Sequence, residues 1–166
     1  GRNSFAGGVS LGKYGVAGMQ LMPVGQTLNA KKSYFMFDNE IVCLGTDINA
    51  ADGGNIETTV ENRKLSASGD NALTVDGAAA AASIGASETV TAAWAHLAGN
   101  DSESDGIGYF FPKKETLNIV RESRTNNWSS MNQAAGQKDD TDYTDNYLTM
   151  YINHGVTPSN ADYEYV

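Results

Sequence analysis

The sequence predicts an all-β protein, an antiparallel β-sandwich or part of one, and three observations carry that expectation. Short alternating runs of apolar and polar residues recur along the chain, turn-forming residues separate them, and no run has the period of a long amphipathic helix. Composition agrees, because 18 Gly and eight Tyr stand against only three Pro in 166 residues. That usage suits a chain of strands and turns. With 40% hydrophobic and 19% charged residues, one domain with its own core is expected.

The elements follow in order. Strand-like sequence already runs from Ser4 to Leu21. Between Lys31 and Leu65 the chain reads KKSYFMFDNEIVCLGTDINAADGGNIETTVENRKL. Within it, SYFMFDNEIVCLG sets two aromatic and β-branched runs on either side of Asp38-Asn39-Glu40, which predicts a β-hairpin. Asp47 to Gly54 is a polar, glycine-rich connection. Asn55 to Leu65 then places Ile56, Thr58 and Val60 on one face and Glu57, Thr59 and Glu61 on the other.

Ser66 to Asn71 reads as a loop, Ala72 to Val75 as a short strand and Asp76-Gly77 as its turn. Ala78 to Ala82 is too short for a self-supporting helix and lies between Gly77 and Gly85, so a surface loop or single turn without a functional role is expected. Glu88 to Leu97 alternates as a strand, with Trp94 and His96 on the face of Val90 and Ala92. After a polar loop from Gly99 to Gly106, Ile107 to Phe111 is an apolar strand stopped by Pro112, and Leu117 to Val120 begins another. Arg121 to Gly136 reads as a long irregular loop of the kind that carries binding residues. Asp145 to His154 is a strand with Tyr147, Thr149, Tyr151 and Asn153 on one face. Gly155 to Asn160 turns into a last strand, Ala161 to Val166. No repeat of fixed period is visible. The chain opens on Gly1 rather than Met and closes on a strand without a turn, which predicts a piece of a larger protein.

The net charge of −9 and isoelectric point near 4.5 argue against nucleic acid or an anionic membrane as a partner. An acidic polymer would need a local basic patch, and Lys113, Lys114, Arg121 and Arg124 are the residues available for one. No apolar run approaches the ~20 residues of a membrane span, and no signal peptide is present. The lone Cys43 excludes an internal disulfide, and its place in IVCLG suggests a small buried hydrophobe.

Candidate chemistry is sparse. His96 and His154 are the only histidines, and no nucleophile stands in a G-x-S-x-G context. No catalytic residue is assigned. Asp47 to Gly53 offers oxygen ligands beside a glycine turn, which leaves a structural calcium open, although its spacing departs from a calcium loop and no Glu closes it. The acidic run Asp139, Asp140, Asp142 and Asp145 reads as a solvated loop. Arg63 is expected to form ion pairs with Glu57 or Glu61. Arg121, Arg124 and Trp128 are the substrate-binding candidates, since a guanidinium grips a carboxylate bidentately while an indole face stacks on a sugar ring. The competing reading is a structural pair between an Arg and Glu122.

In order along the chain, KKSYFMFDNEIVCLG, ETTVENRKL, DGIGYFFP, RESRTNNWSSMN and YLTMYINHGVTPSNADYEYV resemble the central β-sandwich of polysaccharide lyase family 8. The likeness spans nearly all of residues 1–166 as a partial sandwich domain. The family cleaves hyaluronate, chondroitin and xanthan; the ETTVENRKL, GDNALTVDG and RESRTNNW blocks place the xanthan-cleaving branch nearest. The resemblance implies part of a large supersandwich domain in a multidomain α+β enzyme. It also implies β-elimination beside a uronic acid with no required cofactor, and secretion, because such polymers do not enter cells. The implied partners are an acidic polysaccharide and the remaining segments of the same enzyme, an α/α toroid and the rest of the β domain. In the family the catalytic Asn, His, Tyr and Arg belong to the toroid, with a supporting Glu near the sandwich start; none of those motifs is matched here. The resemblance further implies an Arg of this sandwich near a pyruvylated mannose, with Arg121 or Arg124 as the best local candidate. A stand-alone carbohydrate-binding sandwich without chemistry is the alternative.

Overall fold

The computed structural model describes residues 3, 5–100, 106–132 and 139–166. Among these, eleven strands and one short helix follow in order: β1 (Ala6–Ser10), β2 (Gly15–Leu21), β3 (Asn29–Met36), β4 (Ile41–Asn49), β5 (Asn55–Lys64), β6 (Leu73–Val75), β7 (Ala78–Ala79), β8 (Ser87–Leu97), β9 (Ile107–Asn126), α1 (Trp128–Met131), β10 (Tyr143–Val156) and β11 (Ala161–Tyr165). Two antiparallel sheets result, one in the order β1-β2-β3-β4-β11 and the other in the order β5-β10-β9-β8-β6-β7. The chain crosses between them after β4 and returns after β10.

The core lies between the sheets, where period-two alternation turns one side of each strand inward. Leu117 and Ile119 of β9 and Leu148 and Met150 of β10 are fully buried, and Ala30, Ile48 and Tyr163 meet them from the other sheet. The expected hairpin is β3 and β4, which pair from Asn29 opposite Asn49 to Met36 opposite Ile41. Gly45 of β4 is required by a close approach, because a Cβ there would overlap the Tyr163 ring. Reciprocal main-chain bonds between Phe110 and Val166, both 2.9 Å, join the two sheets at one corner.

Several expectations are corrected. Pro112 does not end a strand: β9 runs for 20 residues through it. Residues 111–114 bulge opposite the single Ala93, between the pairs Ala92 with Glu115 and Trp94 with Phe110. In a bulge the missing proline N–H leaves no ladder bond unmade, and Lys114 adopts a positive φ of 54° there. Across the same irregularity the faces of β8 exchange. Ala92, Ala95 and Leu97 are buried while Trp94 and His96 are exposed, so the latter two do not share a face with Ala92. A second shift, at Val60 opposite Met150 and Tyr151, turns Glu61 partly inward, away from the side of Glu57 and Thr59.

The stretch from Arg121 to Asn126 is strand rather than irregular loop, and 133–138 of that expectation lie outside the described residues. Ala80 and Ala81 likewise are buried, at 4% and 0% exposure, instead of forming a surface loop. The first follows from the ladder that pairs Arg121–Asn126 with Tyr143–Leu148 of β10, and the second from the Arg121 side chain. Arg121 is 1% exposed, and its guanidinium sits beneath two loops. Nε donates to the carbonyl of Ala81 at 2.5 Å, Nη2 to that of Asn71 at 2.7 Å, and Nη1 to that of Gly69. The Arg121 backbone meanwhile exchanges bonds with Gly85 (2.8 Å) and Ala86 (3.0 Å). Burial pulls the Arg121 pKa down, and the Asp70 carboxylate opposes that shift. A buried cation persists only where such acceptors satisfy it.

Replacing Arg121 by Ala strands three carbonyls in the interior, each costing about 1–3 kcal/mol. Arg121→Ala is therefore expected to lower stability by about 3 kcal/mol or more in chemical denaturation, with Arg121→Lys intermediate because a compact ammonium cannot span three divergent acceptors. A denaturation midpoint unchanged by Arg121→Ala contradicts this reading.

Candidate functional site

Alternation along β9 buries Leu117, Ile119 and Arg121 and turns Asn118, Val120, Glu122 and Arg124 to the outer side of the six-stranded sheet. On the adjacent β10, the buried Leu148, Met150 and Ile152 place Tyr147, Thr149 and Tyr151 on that same outer side. The ladder between the two strands holds Asp145 opposite Arg124, Tyr147 opposite Glu122 and Thr149 opposite Val120. Just beyond β9, Asn127 caps the short helix by accepting from the Ser130 amide at 2.9 Å. This turns Trp128 out, 54% exposed.

Arg124 is the centre of the arrangement. Nε donates to Glu122 at 2.8 Å, Nη1 to the Asn62 side-chain oxygen at 2.9 Å and Nη2 to Thr149 at 2.8 Å. Its carbon Cζ lies 4.6 Å above the centre of the Tyr147 ring, within the range of a cation–π contact. A guanidinium carries five N–H donors, so two remain after these bonds. Arg124, Asn126, Trp128, Tyr143, Asp145 and Tyr147 are among the residues that line one open cleft of about 470 Å³. Asp145 is itself paired to Lys64 at 2.7 Å.

The sequence candidates separate accordingly. Arg124 and Trp128 come together on one cleft. Arg121, three residues earlier and therefore on the opposite face, is spent on interior carbonyls and offers nothing to a ligand on the surface. The Arg124–Glu122 contact shows that the structural pair with Glu122 also forms, on a half-exposed surface where it contributes little to stability. Lys113 and Lys114 sit in the β9 bulge and do not line this cleft, and Lys113 is 3.4 Å from Glu164. Sequence reasoning missed the roles of Asn62, Tyr143 and Asn126. The tyrosines were visible as alternate positions of YTDNYLTMY, whereas Asn62 enters only through pairing with β10.

Most of the remaining polar candidates are committed to the fold. The His154 Nε2 is 2.8 Å from the Thr58 hydroxyl and its ring packs 6.2 Å from that of Tyr163. Burial depresses its pKa, with Asp162 opposing. His96 is exposed on β8 beside Gly106. Within the run from Asp47 to Gly53, Asp47 pairs with Lys31 at 2.7 Å and Asp52 accepts from the Thr27 amide (3.1 Å) and hydroxyl (2.8 Å). Among the described residues no group of three or more His, Cys, Asp or Glu side chains is arranged to hold a metal ion. Asp139 accepts from the Tyr143 hydroxyl and the Thr141 amide, both at 2.9 Å, and so ties the start of β10. Arg63 pairs with Glu61 at 2.9 Å rather than with Glu57, and Glu61 also accepts from the Tyr109 hydroxyl. Burial, more than Glu61, raises the Tyr109 pKa. Cys43 is buried, and that burial raises its thiol pKa.

Comparison with known proteins follows the same outline. Residues 1–166 match the family described as polysaccharide lyase family 8, super-sandwich domain. The chain is 48% identical over 156 residues to the xanthan lyase of Bacillus sp. (strain GL1), covering 93% of this chain and 17% of that protein. It is 35% identical over 164 residues to the hyaluronate lyase of Thermasporomyces composti, covering 98% and 20%. The solved structure of a Paenibacillus xanthan lyase superposes with a TM-score of 0.95 at 50% identity over 99% of this chain and 16% of that one. The chain thus spans about a fifth of the length of these relatives.

The buried His154 has a stability consequence with a definite sign. Its folded pKa lies below the ordinary value of 6.5, so the unfolded chain takes up a proton that the folded one resists. The stability contributed by the neutral ring is intact above about 6.5 and declines as pH falls below it. Melting temperature followed between about pH 7 and pH 5 is expected to fall, less steeply in His154→Gln, before the carboxylates begin to titrate near 4. Identical slopes for the two proteins count against this role.

Proposed function

Because the chain belongs to polysaccharide lyase family 8, we propose that it forms part of a secreted enzyme that cleaves an acidic polysaccharide, xanthan foremost, by β-elimination beside a uronic acid. The likeness to xanthan lyase over 93% of the chain carries this reading. In such a reaction a base removes the C5 proton, the C4–O bond breaks as a C4–C5 double bond forms, and the departing glycosidic oxygen takes up a proton. Proton transfers of this kind require an acid and a base poised near the sugar. The Arg124 cleft holds hydrogen-bond donors and aromatic faces but no histidine, and Glu122 and Asp145 are bound to Arg124 and Lys64. The role read for this chain is therefore scaffold and cleft wall, with the catalytic groups on other segments of the longer enzyme.

Within that role Arg124 directs its two unused donors at a carboxylate of the substrate, that of a pyruvylated mannose in the xanthan reading, while Trp128 stacks on a sugar ring. Tyr147 beneath the guanidinium and Asn62, Glu122 and Thr149 around it hold the group in place before the ligand arrives, which cuts the entropy lost on binding.

The intact enzyme, supplied in turn with xanthan and hyaluronan, is expected to generate the ultraviolet absorbance of the new conjugated double bond, fastest with xanthan. Arg124→Ala is expected to raise KM roughly tenfold or more, the worth of a charge-assisted contact, and Trp128→Ala to raise it severalfold. Binding of the polymer without any absorbance change points instead to a non-catalytic carbohydrate-binding sandwich, and an unaltered KM in both variants removes this cleft from the substrate path.

A further inference from the structure

The outer side of β10 carries tyrosines at a regular interval. Tyr143, Tyr147 and Tyr151 are four residues apart and lie on the same face, opposite the buried Leu148, Met150 and Ile152. From Tyr143 to Ile152 the ladder with β9 runs without a bulge, so the three side chains stand in one straight row at intervals of about 13 Å. Each has a polar escort on β9: Asn126 opposite Tyr143, Glu122 opposite Tyr147 and Asn118 opposite Tyr151. On the other flank Asn62 of β5 is opposite Thr149 and Thr59 is opposite Tyr151. Asn118 is held by the Thr89 hydroxyl, which donates to its side-chain oxygen at 3.0 Å and leaves the amide N–H₂ pointing elsewhere.

A polymer of sugar rings offers alternating C–H faces and hydroxyls, and its complement is an aromatic surface flanked by amides and hydroxyls. A protein partner would seek a different surface, since the centre of a protein interface is apolar and well packed, whereas this row is interrupted by Thr149 and bordered by Asn62, Asn118 and Asn126, with Val120 opposite Thr149 as an aliphatic neighbour. We propose that β10 is a binding rail on which the polysaccharide lies along the strand, running from the Trp128 cleft past Arg124 to a distal subsite formed by Tyr151 and Asn118. The proposal rests on the polysaccharide reading of the Arg124 cleft and extends it: the distal subsite takes a ring of the polymer backbone by stacking on Tyr151, with the Asn118 amide on its hydroxyls. The charged group is selected at Arg124, and the rail contributes length.

The test uses the intact enzyme and xanthan, and reads binding directly by retardation in native gels cast with the polymer, beside KM and kcat. Tyr151→Ala and Asn118→Ala are each expected to weaken retention and raise KM roughly three- to tenfold, the scale of one stacked ring or one hydrogen bond. Tyr151→Phe keeps most of the affinity and kcat is unchanged, and each effect shrinks on oligosaccharides too short to reach from Arg124 to Tyr151. Wild-type retention and KM in both distal variants, with Arg124→Ala weakened, overturns the rail and leaves the cleft reading standing. Weakening in the distal variants with Arg124→Ala unaltered does the reverse. Should Tyr151→Ala melt early, Asn118→Ala and Tyr151→Phe carry the comparison.

Discussion

The guanidinium of Arg121 is the contact from which the arrangement of the six-stranded sheet follows. Three main-chain carbonyls, from the loops on either side of β6 and β7, converge on it, and a buried cation tolerates no looser accommodation. Ala81 takes a positive φ of 42° while offering its carbonyl, a strain of about 1–2 kcal/mol that a non-glycine residue accepts only where the surroundings demand it. With Arg121 pinned inward, the pleat sends Glu122 and Arg124 outward. The position of the surface arginine is thus a consequence of the buried one.

That coupling divides the sheet into two sides with distinct tasks. The inner side of β9 and β10 is a packed apolar layer closed by the five-stranded sheet, and the outer side carries mainly hydrogen-bonding and aromatic groups, with Val120 among them. β10 is paired on both flanks, to β5 and β9, so its outer residues cannot shift without breaking two ladders. A ligand-binding surface built on such a strand is rigid, which preserves binding free energy that a mobile loop would lose to ordering. The Pro112 bulge lies toward the other end of β9, while the Val60 shift of β5 sits beside Tyr151 and leaves the β9 ladder regular there.

Much of this was legible in the chain before any coordinates. The turn at Asp38-Asn39-Glu40, the alternating faces of Asp145 to His154 and the last strand from Ala161 all form as their local patterns indicate, because each depends on neighbours in sequence. Trp128 and Arg124 could be singled out by residue type and do share a cleft. Arg121 could not be told from Arg124 in the same way. Read as part of a loop, both stood available for a ligand; read as strand, three residues of separation put them on opposite sides.

The sequence by itself determined the all-β class, the hairpin, the family and the absence of a nucleophile motif, since composition, period and ordered motifs are properties of the chain alone. Tertiary structure decided which side each residue faces. That choice depends on bulges at Pro112 and Val60 and on Arg121 meeting carbonyls some 40 to 52 residues away. A strand has a period of two, so one irregular pairing inverts every face beyond it, and pairing is set by partner strands that local sequence does not encode.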